Sequence, residues 1–158
     1  MTQPKSQCLI LACGNTLRGD DGIGPWLAEW AKNKFRAESQ VCVITRQQWT
    51  PELAEEIARA QSVLFIDCSV ESVPGSIRLA SVEPTAALQG LATHHQGAAE
   101  LLALTRDLYS SQPTTSKLLT IGAGSTELGE QFSEAVTAAL PEACRLIEAT
   151  VLRLLSIQ

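Results

Sequence analysis

The chain has 158 residues, which is enough for one well-buried domain and too few for two comfortable ones. Hydrophobic residues make up 45% of the chain and charged residues 18%, as in ordinary folded proteins. A formal net charge of −5 leaves no broad basic surface, which argues against nucleic acid as a partner. No apolar stretch approaches the roughly 20 residues that span a bilayer, and residues 1–7 lack the features of a signal peptide. We therefore expect a cytoplasmic protein with no membrane partner.

Strand-like and helix-like segments alternate along the chain. The first half predicts strands at 8–13, 41–44 and 62–67 and helices at about 25–35 and 51–60. The second half predicts a short edge strand at 76–80, a helix at 98–109, a last strand at 117–122 and a final helix at about 132–155 that Pro141 should begin, kink or break. This alternation predicts one three-layer α/β/α domain over 1–158, with a roughly five-stranded, mostly parallel sheet. The pattern leaves open whether the short edge strand runs parallel or antiparallel.

The most informative segment is the glycine-rich loop 14–24, with the sequence GNTLRGDDGIG, between the first strand and the first helix. It lacks both the Gly-Lys-Ser/Thr ending of a P-loop and the GxGxxG pattern of dinucleotide-binding loops. Its adjacent carboxylates, Asp20 and Asp21, would repel a phosphate at the start of a helix and suit a cation instead. Capping of the helix is the structural alternative, and it explains one of these carboxylates more readily than both.

Three further polar side chains belong to the same predicted edge of the sheet. Asp67 closes the third strand, and His94 and His95, the only histidines, precede the third predicted helix. Because ligands bind beyond the carboxyl ends of parallel strands, we expect these residues and the glycine-rich loop to share one crevice. Carboxylate and imidazole ligands together suit zinc, nickel, iron or manganese. Taken singly, each has a structural alternative, since loop amides can satisfy Asp67 and a histidine pair can decorate a surface or cap a helix.

The sequence also bears on two other hydrolytic mechanisms, a serine and a cysteine nucleophile. A Ser-His-Asp hydrolase would need a GxSxG elbow, which the sequence lacks. The five cysteines form no CxxC pair and fit small buried hydrophobes in a reducing compartment. Cys13 and Cys68 flank the predicted crevice, so a Cys-His nucleophile stays open, although buried strand cysteines are usually inert.

These motifs resemble the endopeptidases that mature nickel-iron hydrogenases by trimming the C-terminus of the large subunit. The resemblance rests on the loop 14–24, on the strand ending in Asp67, and on His94 followed by Gly97 and a leucine-rich helix. It spans nearly the whole chain. It implies a five-stranded twisted sheet between helices and a nickel site at Asp21, Asp67 and His94, with His95 as the alternative histidine.

The resemblance also implies how such a protein acts. The partner would be a [NiFe] hydrogenase large-subunit precursor, processed by a monomer. The nickel, for which other divalent metals could substitute, would be supplied by that substrate. The catalytic residues would be Asp20, Asp21 and Asp67. The metal would either polarise the scissile carbonyl or activate water, or would only position the peptide while Asp20 or Asp67 acts as the base.

Two readings from other functional classes stay open at this point. The first is a non-catalytic, metal-dependent maturation checkpoint or chaperone that uses the same site. The second is a small-molecule or nucleotide binder that uses the glycine-rich loop, against which the Asp20–Asp21 pair speaks.

Overall fold

Five strands form a single sheet in a computed structural model that describes residues 6–85 and 97–157. The strands are β1 (Ser6–Cys13), β2 (Val41–Arg46), β3 (Ala60–Ser69), β4 (Ile77–Ser81) and β5 (Thr115–Gly122), in the spatial order β2-β1-β3-β5-β4. The pairs β1–β2, β1–β3 and β3–β5 are parallel, and the short edge strand β4 runs antiparallel to β5. The predicted mostly parallel, five-stranded sheet is confirmed, and the direction of its edge strand is settled.

Helices cover both faces of this sheet. They are α1 (Ile23–Lys34), α2 (Leu53–Ala58), α3 (Ala98–Tyr109) and α4 (Glu134–Ser156), and a short 3₁₀ helix, Gly19–Gly22, precedes α1. Within β1, Ile10 belongs to the apolar core shared with α1 and α4, whereas Leu9 belongs to the core shared with α2 and α3. Burial on both faces is why the strands read as continuous apolar runs rather than alternating ones. The predicted three-layer α/β/α architecture is confirmed.

The last helix departs from its prediction. It is continuous from Glu134 to Ser156 with Pro141 inside it, so the prediction that this proline would begin or break a segment was wrong. A proline removes one backbone donor from a helix, which local sequence reasoning weighs heavily. Here the buried residues Val136 before it and Ala143 after it hold both halves against the same core. Tertiary packing therefore outweighs the local cost.

Strand β3 also differs from its prediction, in a way that matters for the site. It does not end on Asp67 but continues to Ser69, because its pairing with β5 extends to the Ser69–Gly122 pair. The pairing of β3 with β1 stops earlier, at Ile66, since β1 ends at Cys13. Asp67 therefore pairs with β5 but has no pairing partner on β1.

Within the two described ranges, no helix is both long enough and apolar enough to cross a membrane.

Candidate active site

Asp21 reaches the carboxyl edge of the sheet through the tight turn that follows β1. Gly14 has a φ of +154°, and a Cβ atom there would overlap the carbonyl oxygen of Asp21. Only glycine allows the strand end and the 3₁₀ helix to approach this closely. The backbone amide of Asn15 then donates a hydrogen bond of 2.8 Å to Oδ2 of Asp21. This bond fixes one oxygen of a partly buried carboxylate.

Asp67 is held by donors on two sides. The backbone amide of Cys68 donates to Oδ1 of Asp67 at 2.8 Å, and the side chain of Trp49 donates a second hydrogen bond to this carboxylate. Burial raises the pKa of Asp67 from an ordinary value of 3.8 to about 6. The charge of Asp21 also raises this pKa, whereas the hydrogen bonds from Cys68 and Trp49 lower it. Asp67 is therefore a carboxyl that ionises close to neutral pH.

Asp21 and Asp67 line the same cavity, of about 540 Å³, beyond the carboxyl ends of β1 and β3. The parallel-sheet rule led us to expect ligands at this edge. The other lining residues are Cys13, Asn15, Arg18, Gln47, Gln48, Trp49, Cys68, Val70, Gly97, Ala98 and Leu118. Two neighbouring carboxylates repel each other, and a proton or a cation between them relieves that repulsion. The cavity is thus suited to a cation and to proton transfer.

Asp20 does not line this cavity. Its side chain is 0% exposed, and its carboxylate accepts hydrogen bonds from the amides of Gly124 and Ser125 and from both the amide and the hydroxyl of Ser133. Burial opposes ionisation of Asp20, but these bonds outweigh it and lower the pKa of this carboxyl below its ordinary value. The structure therefore separates the two adjacent acids, with Asp21 at the cavity and Asp20 turned into the protein.

The predicted histidine ligand, His94 or His95, lies outside the described residues. Gly97, three residues after His94 in the sequence, does line the cavity. Across 6–85 and 97–157, no group of three or more histidine, cysteine, aspartate or glutamate side chains is arranged to hold a metal. The described part of the site therefore contributes the two carboxylates, a donor set that suits borderline and hard divalent cations.

The two cysteines of the cavity are poor nucleophiles. Burial, helped by the charges of Asp67 and Asp21, raises the pKa of Cys13 to about 12. Burial likewise raises the pKa of Cys68 to about 12, helped by the charges of Asp21, Asp67 and Asp20. Because the thiolate rather than the thiol is the reactive form, neither side chain is activated at neutral pH. The site does not favour the Cys-His alternative.

The connection between β2 and α2 supplies a wall that the sequence reasoning missed. Gln47, Gln48 and Trp49 all line the cavity. The ring of Trp49 packs edge-on against Phe65 of β3, with centroids 5.5 Å apart and an interplanar angle of 86°. The signal was available, since these residues directly follow the carboxyl end of a parallel strand.

Solved structures of other proteins share the fold of this chain. The hydrogenase maturating endopeptidase HybD from E. coli superposes with a TM-score of 0.73 at 19% identity, over 92% of each chain. The chain has the fold of the hydrogenase maturation endopeptidases. A hydrogenase 2 maturation peptidase from a Thaumarchaeota archaeon superposes with a TM-score of 0.66 at 24% identity, over 91% of this chain and 97% of its own. The [NiFe] hydrogenase maturation protease HycI from Thermococcus kodakarensis gives 0.66 and 24%, over 90% of each chain.

These likenesses are structural. No sequence-family model matches the chain, and no curated protein matches it in sequence. At identities of 19–24% the comparison establishes the shared fold of these maturation endopeptidases, and the activity has to be argued from the site.

Proposed function

We propose that this chain is an endopeptidase that removes the C-terminal extension of a [NiFe] hydrogenase large-subunit precursor after nickel insertion. The observation that carries the proposal is the pair Asp21 and Asp67 in one open cavity, on a fold whose solved neighbours are hydrogenase maturation endopeptidases. The motif around Asp21 supports it, because the same glycine-rich segment both positions this acid and argues against a bound phosphate. We propose that the protein works as a monomer in the cytoplasm.

The nickel belongs to the substrate in this proposal. Asp21 and Asp67 would complete the coordination of a metal already inserted in the precursor, together with His94, or His95 as the alternative. Gly97 lines the cavity, and three residues of extended chain reach at most ~11 Å, so covalent geometry is compatible with a histidine from this segment. Neutralising two neighbouring carboxylates favours a divalent cation over an empty pocket. A precursor without nickel would lack that attraction and would be spared.

Asp67 is the acid best suited to proton transfer. In the metal-free protein the pKa of Asp67 is about 6, so this carboxyl is ionised at pH 7.5 and is a stronger base than an ordinary aspartate; a coordinated cation would lower this pKa. In hydrolysis, water attacks the scissile carbonyl carbon and gives up a proton, and the leaving amine later takes one up. Asp67 can serve both transfers from one position. Asp20 lacks access to the cavity, so the proposal assigns it no proton-transfer step.

The decisive experiment is an intact-mass assay on a nickel-loaded large-subunit precursor. The wild-type protein should remove one discrete C-terminal piece, and Asp67→Asn and Asp21→Asn should each cut at least about 100-fold more slowly. Asp107→Asn is the matched control, because Asp107 is exposed on α3 and lies outside the cavity. Unloaded precursor should stay intact with every variant.

The alternative outcomes are informative. Normal cutting by Asp67→Asn would refute the site assignment. An unchanged precursor, with nickel loading and folding verified, would refute the endopeptidase and favour a non-catalytic checkpoint, which should still bind loaded precursor more tightly than unloaded precursor. A larger loss of cleavage in His95→Ala than in His94→Ala would assign the metal-binding histidine to His95 instead of His94.

A further inference from the structure

Two loops meet beside the candidate site, the β1–α1 loop (14–22) and the β5–α4 loop (123–133). Their backbones are joined by three hydrogen bonds, from Gly19 N to Gly129 O at 2.7 Å, from Gly129 N to Leu17 O at 2.9 Å, and from Asp20 N to Ser125 O at 2.9 Å. The first loop carries Asp21, whereas the second contributes no residue to the cavity. The second loop can therefore affect Asp21 through its contacts with the first.

The Asp20 carboxylate is the strongest link between the two loops. Gly124 N and Ser125 N donate to Oδ2 at 2.7 and 3.1 Å, and Ser133 donates its amide to Oδ1 and its hydroxyl to Oδ2, both at 2.7 Å. All four donors come from the β5–α4 loop, and hydrogen bonds to a charged acceptor are the strong ones. The fit is tight, since a Cβ at Gly124 would lie 2.8 Å from the Ser133 hydroxyl oxygen.

The hydrogen bonds that hold Asp20 also restrict the position of the neighbouring Asp21. Asp20 and Asp21 are consecutive residues of one 3₁₀ helix, so their side chains leave the same short turn in different directions. Asp21 N donates to Arg18 O at 3.1 Å, and the Asp21 carboxylate accepts from Asn15 N at 2.8 Å. Holding Asp20 fixes the turn, and fixing the turn keeps Asp21 at the cavity and in contact with Asn15.

We propose that Asp20 is a positioning residue that acts through Asp21 and never touches the substrate. Its ionised carboxylate clamps the β1–α1 loop to the β5–α4 loop and so pre-organises the Asp21 oxygen atoms at the cavity. As far as catalysis is concerned, this inference rests on the function proposed above. The clamp itself is independent of it, because every bond that forms the clamp lies within the protein.

The test uses a readout of the Asp21–Asn15 contact that requires neither metal nor substrate. Amide hydrogen exchange at Asn15 should accelerate about tenfold in Asp20→Asn, which cannot accept from all four donors, and also in Ser133→Ala, which removes one of them. Val151→Ala is the matched control. It destabilises the same helix by opening a cavity at a fully buried position about 27 Å further along α4. It should leave Asn15 exchange unchanged at temperatures where all variants are folded.

Cleavage of loaded precursor is measured in parallel. Positioning predicts that kcat falls in both clamp variants in step with Asn15 exchange, whereas Val151→Ala keeps the wild-type value. Loss of cleavage with normal Asn15 exchange would overturn the proposal and make Asp20 a chemical participant. Normal exchange and normal cleavage in Ser133→Ala would overturn it as well. Absence of cleavage by the wild-type protein would refute the proposed function, and the exchange measurement would still decide on the clamp. Should Asp20→Asn fail to fold, Ser133→Ala carries the test alone, since it keeps three of the four bonds.

Discussion

Replacing Asp67 with asparagine should stabilise the metal-free protein at neutral pH while removing the proposed endopeptidase activity. Burial lifts the pKa of Asp67 from its ordinary 3.8 to about 6, so the folded chain holds this proton more tightly than the unfolded chain does. Below the lower value both states are protonated and there is no cost. As the pH rises through this window the unfolded chain ionises first, and stability falls until the folded carboxyl also ionises. Asparagine has a similar shape and does not titrate.

The size of the effect follows from the pKa difference. Each unit is worth about 1.4 kcal/mol, so a rise of about two units corresponds to ~3 kcal/mol of lost unfolding free energy above pH 7. Any pH-independent change in unfolding free energy caused by the substitution cancels when the difference between variant and wild type is compared at two pH values. The gain of Asp67→Asn over wild type should therefore be about 2–3 kcal/mol larger at pH 7.5 than at pH 4.

Urea unfolding in the presence of a chelator, at four pH values from 4 to 7.5, measures this difference. The asparagine variant should show the flatter pH dependence, and Asp107→Asn should follow the wild-type curve because Asp107 is exposed. A gain that differs by less than about 0.5 kcal/mol between the two ends of the pH range would refute the reasoning. It would mean that Asp67 is solvated or that a partner compensates its charge.

Two further predictions concern the walls of the cavity. Trp49→Phe keeps a ring against Phe65 but removes the donor that stabilises ionised Asp67, so the pKa of Asp67 should rise and the stability loss should move to higher pH in the same urea series. Cys13→Ala should cut loaded precursor within about twofold of the wild-type rate, because a thiol with a pKa of about 12 is not a nucleophile at pH 7.5. A loss of two orders of magnitude in that assay would reinstate the cysteine mechanism.

The general position of the site could be predicted from the sequence because it depends on a rule of topology. Asp21 follows β1 and Asp67 lies near the carboxyl end of β3, and such positions in a parallel sheet meet at one edge whatever the details of the loops. The sequence could not predict that Asp21 lines the cavity while Asp20 is buried away from it. The partner that turns Asp20 inward, Gly124, is 104 residues away in the sequence, and no local pattern reveals which of two adjacent acids it will bind.

Contacts between distant segments also explain where the predicted helix and strand limits were wrong. Locally, Pro141 indicates the start, a kink or a break of a helix, yet buried residues on both sides of it belong to one continuous helix. The sequence predicts that β3 ends at Asp67, yet pairing with β5 carries the strand to Ser69. In both cases contacts between distant segments decided what the local sequence left ambiguous.

The parallel pairing of β1 with β3 has a thermodynamic consequence for turnover. Asp21 and Asp67 meet only after these strands have paired, so an unfolded chain offers a cation no comparable site. A cation held between them stabilises the folded state alone, by ~2.7 kcal/mol when its concentration is a hundredfold above Kd. That is close to the cost of the ionised Asp67 in the empty protein. The endopeptidase proposed here would therefore be most resistant to unfolding while it holds a loaded precursor, and least resistant after it has let the product go.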